Sequence, residues 1–493
     1  MSDERFDLGE FGASFSEFVE RMNAVASRKD SPLLARIREH LRTDPTELPS
    51  TSAEFSPTDR PNLQLALDAV LPDAEVLGLS TPGPGFVMAG LSALVSGHRA
   101  IGPVELGPVQ YFDVEVGDGR VVRCVSNGVF LASRGDAPIV LALMASEHPF
   151  GPNVLRLEGI SPSEGLASAL LADLRAAMRE QNVYRGQVIS LHGGQEHGTI
   201  QVRFHRPPAI GRDGVVLPGG TIERLERHAI GIAEQAERLK AAGRQLKRGV
   251  LLHGPPGTGK TLTVNYLIGS MPGRTTVLLT GQGLGLIEPA VAIARELTPA
   301  TVVLEDVDLV AAERTMPFGN TGVLSELLNQ IEGLDADADL LFLLTTNRAD
   351  LIEPALATRP GRVDLALEIP LPDETARGKL LRLYAEDVPL DEHTERDLVA
   401  RTKELTGAFI KELMRQAGLR AALENRPATA KDATAALDEL REERSTLTRR
   451  LLGQGGNGSG APQPGAPPFP AMVHSFGALG IPMPPEPGIS PGP

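Results

Sequence analysis

The sequence predicts an α/β core built on a parallel sheet, closed by a C-terminal helical lid and preceded by a separate α+β domain. Three observations predict it. Residues 211–372 alternate apolar runs with helical stretches, the pattern of a parallel sheet covered on both faces. Residues 373–452 are helical and heavily charged, which suits a lid. Residues 61–210 carry short apolar or alternating runs broken by turn residues, the pattern of an α+β unit.

Residues 1–60 are polar and charged, and are read as an N-terminal arm. Phe15, Phe18, Val19 and Met22 would share one side of a short amphipathic helix there. In the α+β domain, 62–71 has helical periodicity. Strand candidates follow at 109–116, 120–125, 129–132 and 139–144, separated by Gly117-Asp118-Gly119 and Ser126-Asn127-Gly128. Asp-Gly and Asn-Gly at such places predict hairpins. A helix is expected over 161–179, with Ser163 as its N-cap, and strands over 184–191 and 199–205. His192, Glu196 and His197 fit no zinc spacing and are read as a solvated loop. In the core the strand candidates are 249–253, 275–280, 301–305 and 340–345. Residues 453–493 are rich in Gly and Pro with one charge, Glu486, and are expected to be disordered because they offer no core.

The chain has 493 residues, room for roughly three domains of ~150 residues. Its formal net charge of −15 makes it a poor phosphate-backbone binder, so nucleic acid is an unlikely partner class. One cysteine, Cys124, excludes an intrachain disulfide and fits a reducing cytoplasm. The start, Met1-Ser2-Asp3-Glu4-Arg5, is no signal peptide. The longest apolar runs, 85–95 and 137–145, are too short to span a bilayer. These features predict a cytoplasmic protein without a membrane span.

Gly254-Pro255-Pro256-Gly257-Thr258-Gly259-Lys260-Thr261 fits G-x-x-x-x-G-K-[ST] between a strand and a helix beginning at Leu262. Glycines let successive backbone N–H groups face phosphate oxygens, and the helix N-terminus adds positive potential. Lys260 is suited to the β- and γ-phosphates and the Thr261 hydroxyl to Mg²⁺. The run Thr301-Val302-Val303-Leu304 ends in Glu305-Asp306, carboxylates where metal coordination and water activation need them. A further strand ends in Asn347, an amide able to orient water without competing for the metal. Arg359-Pro360-Gly361-Arg362 presents two permanent cations on a stiffened turn, suited to spreading phosphoryl charge.

In order and spacing these elements resemble the AAA ATPases, over about 215–450. The 254–261 stretch looks like Walker A, 302–306 like Walker B, Asn347 like sensor 1, and Arg359 and Arg362 like arginine fingers. Gly407 and Ala408 lie where that family's lid meets adenine, and Arg314 sits at a frequent family position. The resemblance implies ATP with Mg²⁺ as cofactors, Thr261 and Glu305 at the metal, and Glu305, Asp306, Asn347, Arg359 and Arg362 as catalytic residues. It also implies a homo-oligomeric ring, commonly a hexamer, with the arginines acting in a neighbour's site.

Two departures matter. The family usually ends Walker B in Asp-Glu, whereas here the order is Glu305-Asp306, as in the mitochondrial AAA chaperones of the Rieske protein, which have a membrane helix. The stretch Gly281-Gln282-Gly283-Leu284-Gly285-Leu286-Ile287 stands where many relatives grip substrate with an aromatic residue, and it has none. There is no H-E-x-x-H and no penultimate tyrosine of the kind proteasome-docking ATPases use. The expected function is an ATP-hydrolysing remodeller of proteins, with the 61–210 domain selecting an unknown protein partner. The alternative is a nucleotide-controlled assembly switch that threads nothing; a nucleic-acid motor is disfavoured by charge.

Overall fold

The computed structural model describes residues 17, 32–80, 91, 105–146, 153–193, 200–308, 338–348, 363–386 and 388–451. The amphipathic stretch around Phe15–Met22 (Glu17 apart) and the 453–493 tail lie outside the described residues. The described chain opens with a six-stranded sheet. Its strands are β1 (Ser50–Phe55), β2 (Glu75–Ser80), β3 (Glu105–Gly107), β6 (Gly128–Arg134), β7 (Ala137–Ser146) and β8 (Val154–Ile160), in the order β1-β8-β7-β6-β2-β3. Every pairing is antiparallel. β7 is apolar throughout because both its faces are covered. Ile139, Leu141 and Leu143 pack with helices α2 (Arg60–Val70) and α3 (Leu166–Glu180). Val140, Ala142 and Met144, pointing the other way, pack with Leu33, Ile37 and Leu41 of α1 (Pro32–Leu41). Residues 32–60, read from sequence as part of a polar arm, thus supply a helix and an edge strand to this sheet.

Between β3 and β6 lies a two-stranded ribbon, β4 (Tyr111–Glu115) and β5 (Val121–Val125). The predicted hairpin at 117–119 is there: Gly117, Asp118 and Gly119 all take positive φ. The hairpin predicted at Asn127-Gly128 is not. β5 pairs with β4, while β6 pairs with β2 and β7, so this turn passes the chain from ribbon to sheet. Asn127 accepts a hydrogen bond from Ala145 N–H at 2.7 Å, spending its side chain on a tertiary contact. Helix α3 begins at Leu166 with Gly165 as its N-cap, later than the predicted Ser161 and without a Ser163 cap.

The second sheet has seven strands in the order β10-β9-β12-β13-β14-β11-β15. They are β9 (Val188–Gly193), β10 (Ile200–His205), β11 (Arg248–His253), β12 (Thr275–Thr280), β13 (Ala300–Glu305), β14 (Leu340–Thr346) and β15 (Leu365–Glu368). All neighbours are parallel except β9 and β10. β14 is buried along its whole length. Leu340, Phe342 and Leu344 face one core layer, Leu341 and Leu343 the other. Helices α4 (Lys260–Gly269) and α5 (Ile287–Glu296) cover the faces, and α6 (Glu374–Ala385), α7 (Glu392–Arg401), α8 (Gly407–Leu423) and α9 (Ala430–Leu451) follow. No helix among the described residues is long and apolar enough to cross a membrane.

β9 and β10 come from the stretch assigned by sequence to the preceding domain, yet β9 pairs with β12 and extends the second sheet. The two sheets are joined further by the ribbon. Val116 is buried in the seven-stranded sheet's core, with Val114, Val122 and Leu65 of α2 packed against it. Tyr184 Oη donates to Thr58 O at 2.5 Å, and Val183 N–H donates to Asn62 Oδ1 at 2.8 Å.

Asp59 stands at this joint. Its carboxylate accepts from Ser56 N–H at 3.2 Å. Burial, reinforced by Glu296 at the end of α5, pushes its pKa up from 3.8 to about 6. An acid whose folded pKa is raised holds its proton more tightly in the folded state. Stability therefore falls as pH rises between those two values and stays lowered above them. Asp59→Asn keeps a hydrogen-bond acceptor and removes the charge. It is expected to raise the unfolding free energy by about 1–3 kcal/mol at pH 8 and to leave it unchanged near pH 3, read by urea denaturation at both values.

Candidate functional site

Three parallel strands in register bring the predicted motifs to one end of the sheet. His253 of β11 pairs with Thr346 of β14, and Leu304 of β13 with Leu344. Their C-terminal ends carry the 254–261 loop, Asn347 and the Glu305-Asp306 pair. Gly254 takes φ +143°, and a Cβ there would stand 2.2 Å from Ile369 O. Gly257 takes φ +77°, and a Cβ there would stand 3.0 Å from Thr406 Oγ1 of the lid. Only glycine suits both positions. Thr258 Oγ1 donates to Pro255 O at 2.9 Å, closing the loop, and α4 starts at Lys260.

Lys260 is buried. Its Nζ donates to Gly254 O at 2.8 Å, Pro255 O at 2.9 Å and Asn347 Oδ1 at 2.7 Å. The same amide turns its Nδ2 to Asp306 Oδ1 at 3.0 Å. A continuous chain of hydrogen bonds therefore runs from the loop lysine through the amide to the second carboxylate. Burial lowers the pKa of Lys260, and the charges of Asp306 and Asp308 oppose that. Asp306 takes φ +52°, a left-handed conformation uncommon for a residue with a Cβ, and its N–H donates to Thr345 Oγ1 at 3.0 Å.

Glu305 is arranged differently. Burial pushes its carboxyl up, a hydrogen bond from the Thr261 side chain pulls the other way, and the neighbouring Asp306 charge raises it again. Its Oε1 is buried with no hydrogen-bond partner. An unpartnered buried carboxylate oxygen beside a hydroxyl is costly unless a cation faces it. The Glu305 and Thr261 oxygens thus fit a hard divalent ion such as Mg²⁺. Among the described residues no group of three or more His, Cys, Asp or Glu could hold a metal, so this pair suits an ion that takes its remaining ligands from phosphate and water.

A cavity of about 380 Å³ opens over the loop. Residues 256–263, Asp306, Asn347, Gly407 and Ala408 all line it. Ala408 N–H donates to Gly257 O at 3.0 Å, seating the lid helix on the loop. Sequence reasoning missed the apolar part of the lining, which includes Val215, Val216, Leu217, Ile369, Leu380 and Tyr384. These are ordinary apolar residues, and nothing local marks them. Arg314, Arg359 and Arg362 lie outside the described residues, as do Glu196 and His197. His192 belongs to β9 and not to a loop; its Nε2 is 2.7 Å from Ser190 Oγ, which also meets His205 Nε2 at 2.6 Å.

Residues 250–371 match the ATPase family associated with various cellular activities (AAA). The chain carries a domain of the AAA ATPase family. The 26S proteasome regulatory subunit 6B homolog of Dictyostelium discoideum is 33% identical over 228 residues, 43% of this chain and 56% of that protein. The proteasome-activating nucleotidase of Methanocaldococcus jannaschii is 31% identical over 231 residues, 43% of this chain and 53% of that protein. The ATP-dependent zinc metalloprotease FtsH 2 of Sphaerobacter thermophilus is 34% identical over 217 residues, 41% of this chain and 33% of that protein. The chain spans about half the length, or less, of these relatives.

Gly254 tests how tightly the AAA domain's loop is packed, because Ile369 N–H donates to His253 O at 2.7 Å beside it. Gly254→Ala is expected to force that edge apart and cost about 1–3 kcal/mol, read as a lower urea midpoint at unchanged slope.

Proposed function

We propose that this chain hydrolyses ATP with Mg²⁺ and uses the cycle to remodel proteins or protein complexes as a homo-oligomeric ring. The observation that carries the reading is the hydrogen-bonded chain Lys260–Asn347–Asp306, with Glu305 held beside Thr261. Residues 254–260 cradle phosphates through backbone N–H groups and the lysine, and Leu262 continues the helix whose N-terminus faces them. Thr261 and Glu305 hold the metal, which, when bound, neutralises phosphate charge. Asp306 polarises the attacking water while Asn347 fixes its carboxylate. Gly407 and Ala408, with Leu380 and Tyr384, line the same cavity and would hold the base. Arg359 and Arg362 act on the nucleotide of a neighbouring subunit. The six-stranded-sheet domain selects the protein partner.

A second reading, a nucleotide-controlled assembly switch that threads no polypeptide, is favoured by the 281–287 segment. It forms a tight 3-10 turn, Gly281–Leu286, leading into α5. Leu284 and Ile287 are buried in the sheet core, and a Cβ at Gly283 would stand 3.0 Å from Leu191 O of β9. Ile287 is therefore a core anchor, unavailable to a substrate. Stimulation of the ATPase by an unfolded protein supports remodelling; a rate that responds to assembly alone supports the switch.

Two variants separate binding from chemistry. Lys260→Ala should abolish nucleotide binding in a fluorescence titration. Asp306→Asn should bind ATP near normally and hydrolyse it about 10²-fold more slowly. Tight binding by the first, or full turnover by the second, would remove the assignment.

The arginines test the ring. Arg359→Ala should bind ATP yet turn over poorly, a smaller loss than the roughly 10³–10⁵ of GTPase systems. Mixed with Lys260→Ala subunits it should regain activity, since each supplies what the other lacks. No gain in mixed rings shown to have exchanged subunits would place the arginines elsewhere.

A further inference from the structure

Asp308 lies two residues beyond the carboxylate pair and is not part of it. It is 8% exposed. One of its oxygens, Oδ1, accepts two hydrogen bonds from the end of β14: from Thr346 Oγ1 at 2.9 Å and from Asn347 N–H at 3.0 Å. Thr346 is fully buried, and its hydroxyl oxygen in turn accepts from Arg348 N–H at 3.0 Å. Asn347 is thereby held on both sides, directly at its own N–H and through Thr346 at the next. Its side chain has no freedom to turn over either, because Oδ1 faces the Lys260 ammonium and Nδ2 faces the Asp306 carboxylate. A single carboxylate oxygen sets the backbone on which this bridge is mounted.

We propose that Asp308 is a positioning residue for Asn347, acting through its two hydrogen bonds and not through its charge; the inference rests on the ATPase reading above. An alternative role is electrostatic, since the Asp308 charge also acts on Lys260. The two roles demand different things of the side chain. Positioning needs only an acceptor at the Oδ1 place, which an asparagine carbonyl supplies. An electrostatic role needs the negative charge, which asparagine lacks. Hydrogen bonds to a neutral acceptor are weaker than to a carboxylate, so the amide should restore most of the function but not all of it.

The test uses the full chain and three readouts: ATP affinity by titration, the split between kcat and KM, and amide hydrogen exchange across 345–348. Asp308→Ala should lower kcat about 10- to 100-fold, the scale of a misplaced catalytic group, with ATP affinity changed less than about threefold. Its exchange at Asn347 and Arg348 should accelerate. Asp308→Asn should recover kcat to within roughly fivefold of wild type and restore exchange protection. An Asp308→Asn variant as slow as Asp308→Ala, with protection intact, would overturn positioning in favour of charge. Protection unchanged in Asp308→Ala would overturn it outright, and so would a loss of ATP affinity as large as the loss of turnover. Hydrogen exchange keeps the inference separate from the reading beneath it. A wild-type protein without ATPase activity sinks the proposed function, while the exchange pattern still decides whether Asp308 holds Asn347.

Discussion

Parallel, in-register pairing of β13, β14 and β11 is the constraint on which the site depends. Each strand is apolar on both faces and buried, so a slip of one residue would reverse every side chain between two filled core layers. The register that packs Phe342 and Leu343 correctly also brings Glu305, Thr346 and His253 to one end of the sheet. The residues that follow these three need no long loops to meet. The chain from Lys260 to Asn347 to Asp306 spans three strand ends and closes only because they are level.

The opposite end of the same strands is tied by charge. Asp339, just before β14, accepts from Arg248 of β11 at 2.9 Å and from Arg274, just before β12, at 2.7 Å. All three are largely buried. Burial pushes the Asp339 carboxyl up, but the two guanidiniums outweigh it and hold it below the ordinary range. Such a triad contributes little net stability compared with apolar packing, though losing one member leaves unpaired charge inside. It reaches a third strand as well, since Arg274 Nη2 also donates to Ala300 O at 2.7 Å at the foot of β13. Register is thus held by packing along the strands and by these polar bonds at their feet.

The edge of this sheet carries a second consequence. β12 would be an open edge had β9 not paired with it, and β9 brings the 281–287 turn under a backbone carbonyl. The ribbon and α2 then enter the same core, so the six-stranded sheet is packed onto the AAA domain and not merely tethered to it. Glu296, at the far end of the helix that follows the turn, comes close enough to Asp59 to raise its pKa.

The sequence by itself marked the candidate parts: the 254–261 loop, the acids at 305 and 306 and Asn347 by their own pattern, and Gly407 and Ala408 only through the family resemblance. The first three are legible because a Gly-rich loop and polar residues at strand ends are local patterns, needing particular residues within a few positions of a strand or helix end. Periodicity likewise gave β7, β11, β12, β13 and β14 to within a residue or two. The tertiary structure alone decided which sheet receives β9 and β10, that Asn127-Gly128 is a crossing and not a hairpin, and that Val216, Leu217, Leu380 and Tyr384 wall the cavity. It also separated the two acids, setting Glu305 against Thr261 and Asp306 against Asn347. The reason is the same in each case. An apolar pattern records that a face is buried but not what covers it, and that choice depends on contacts between segments far apart in the chain, which close only when the whole core is assembled.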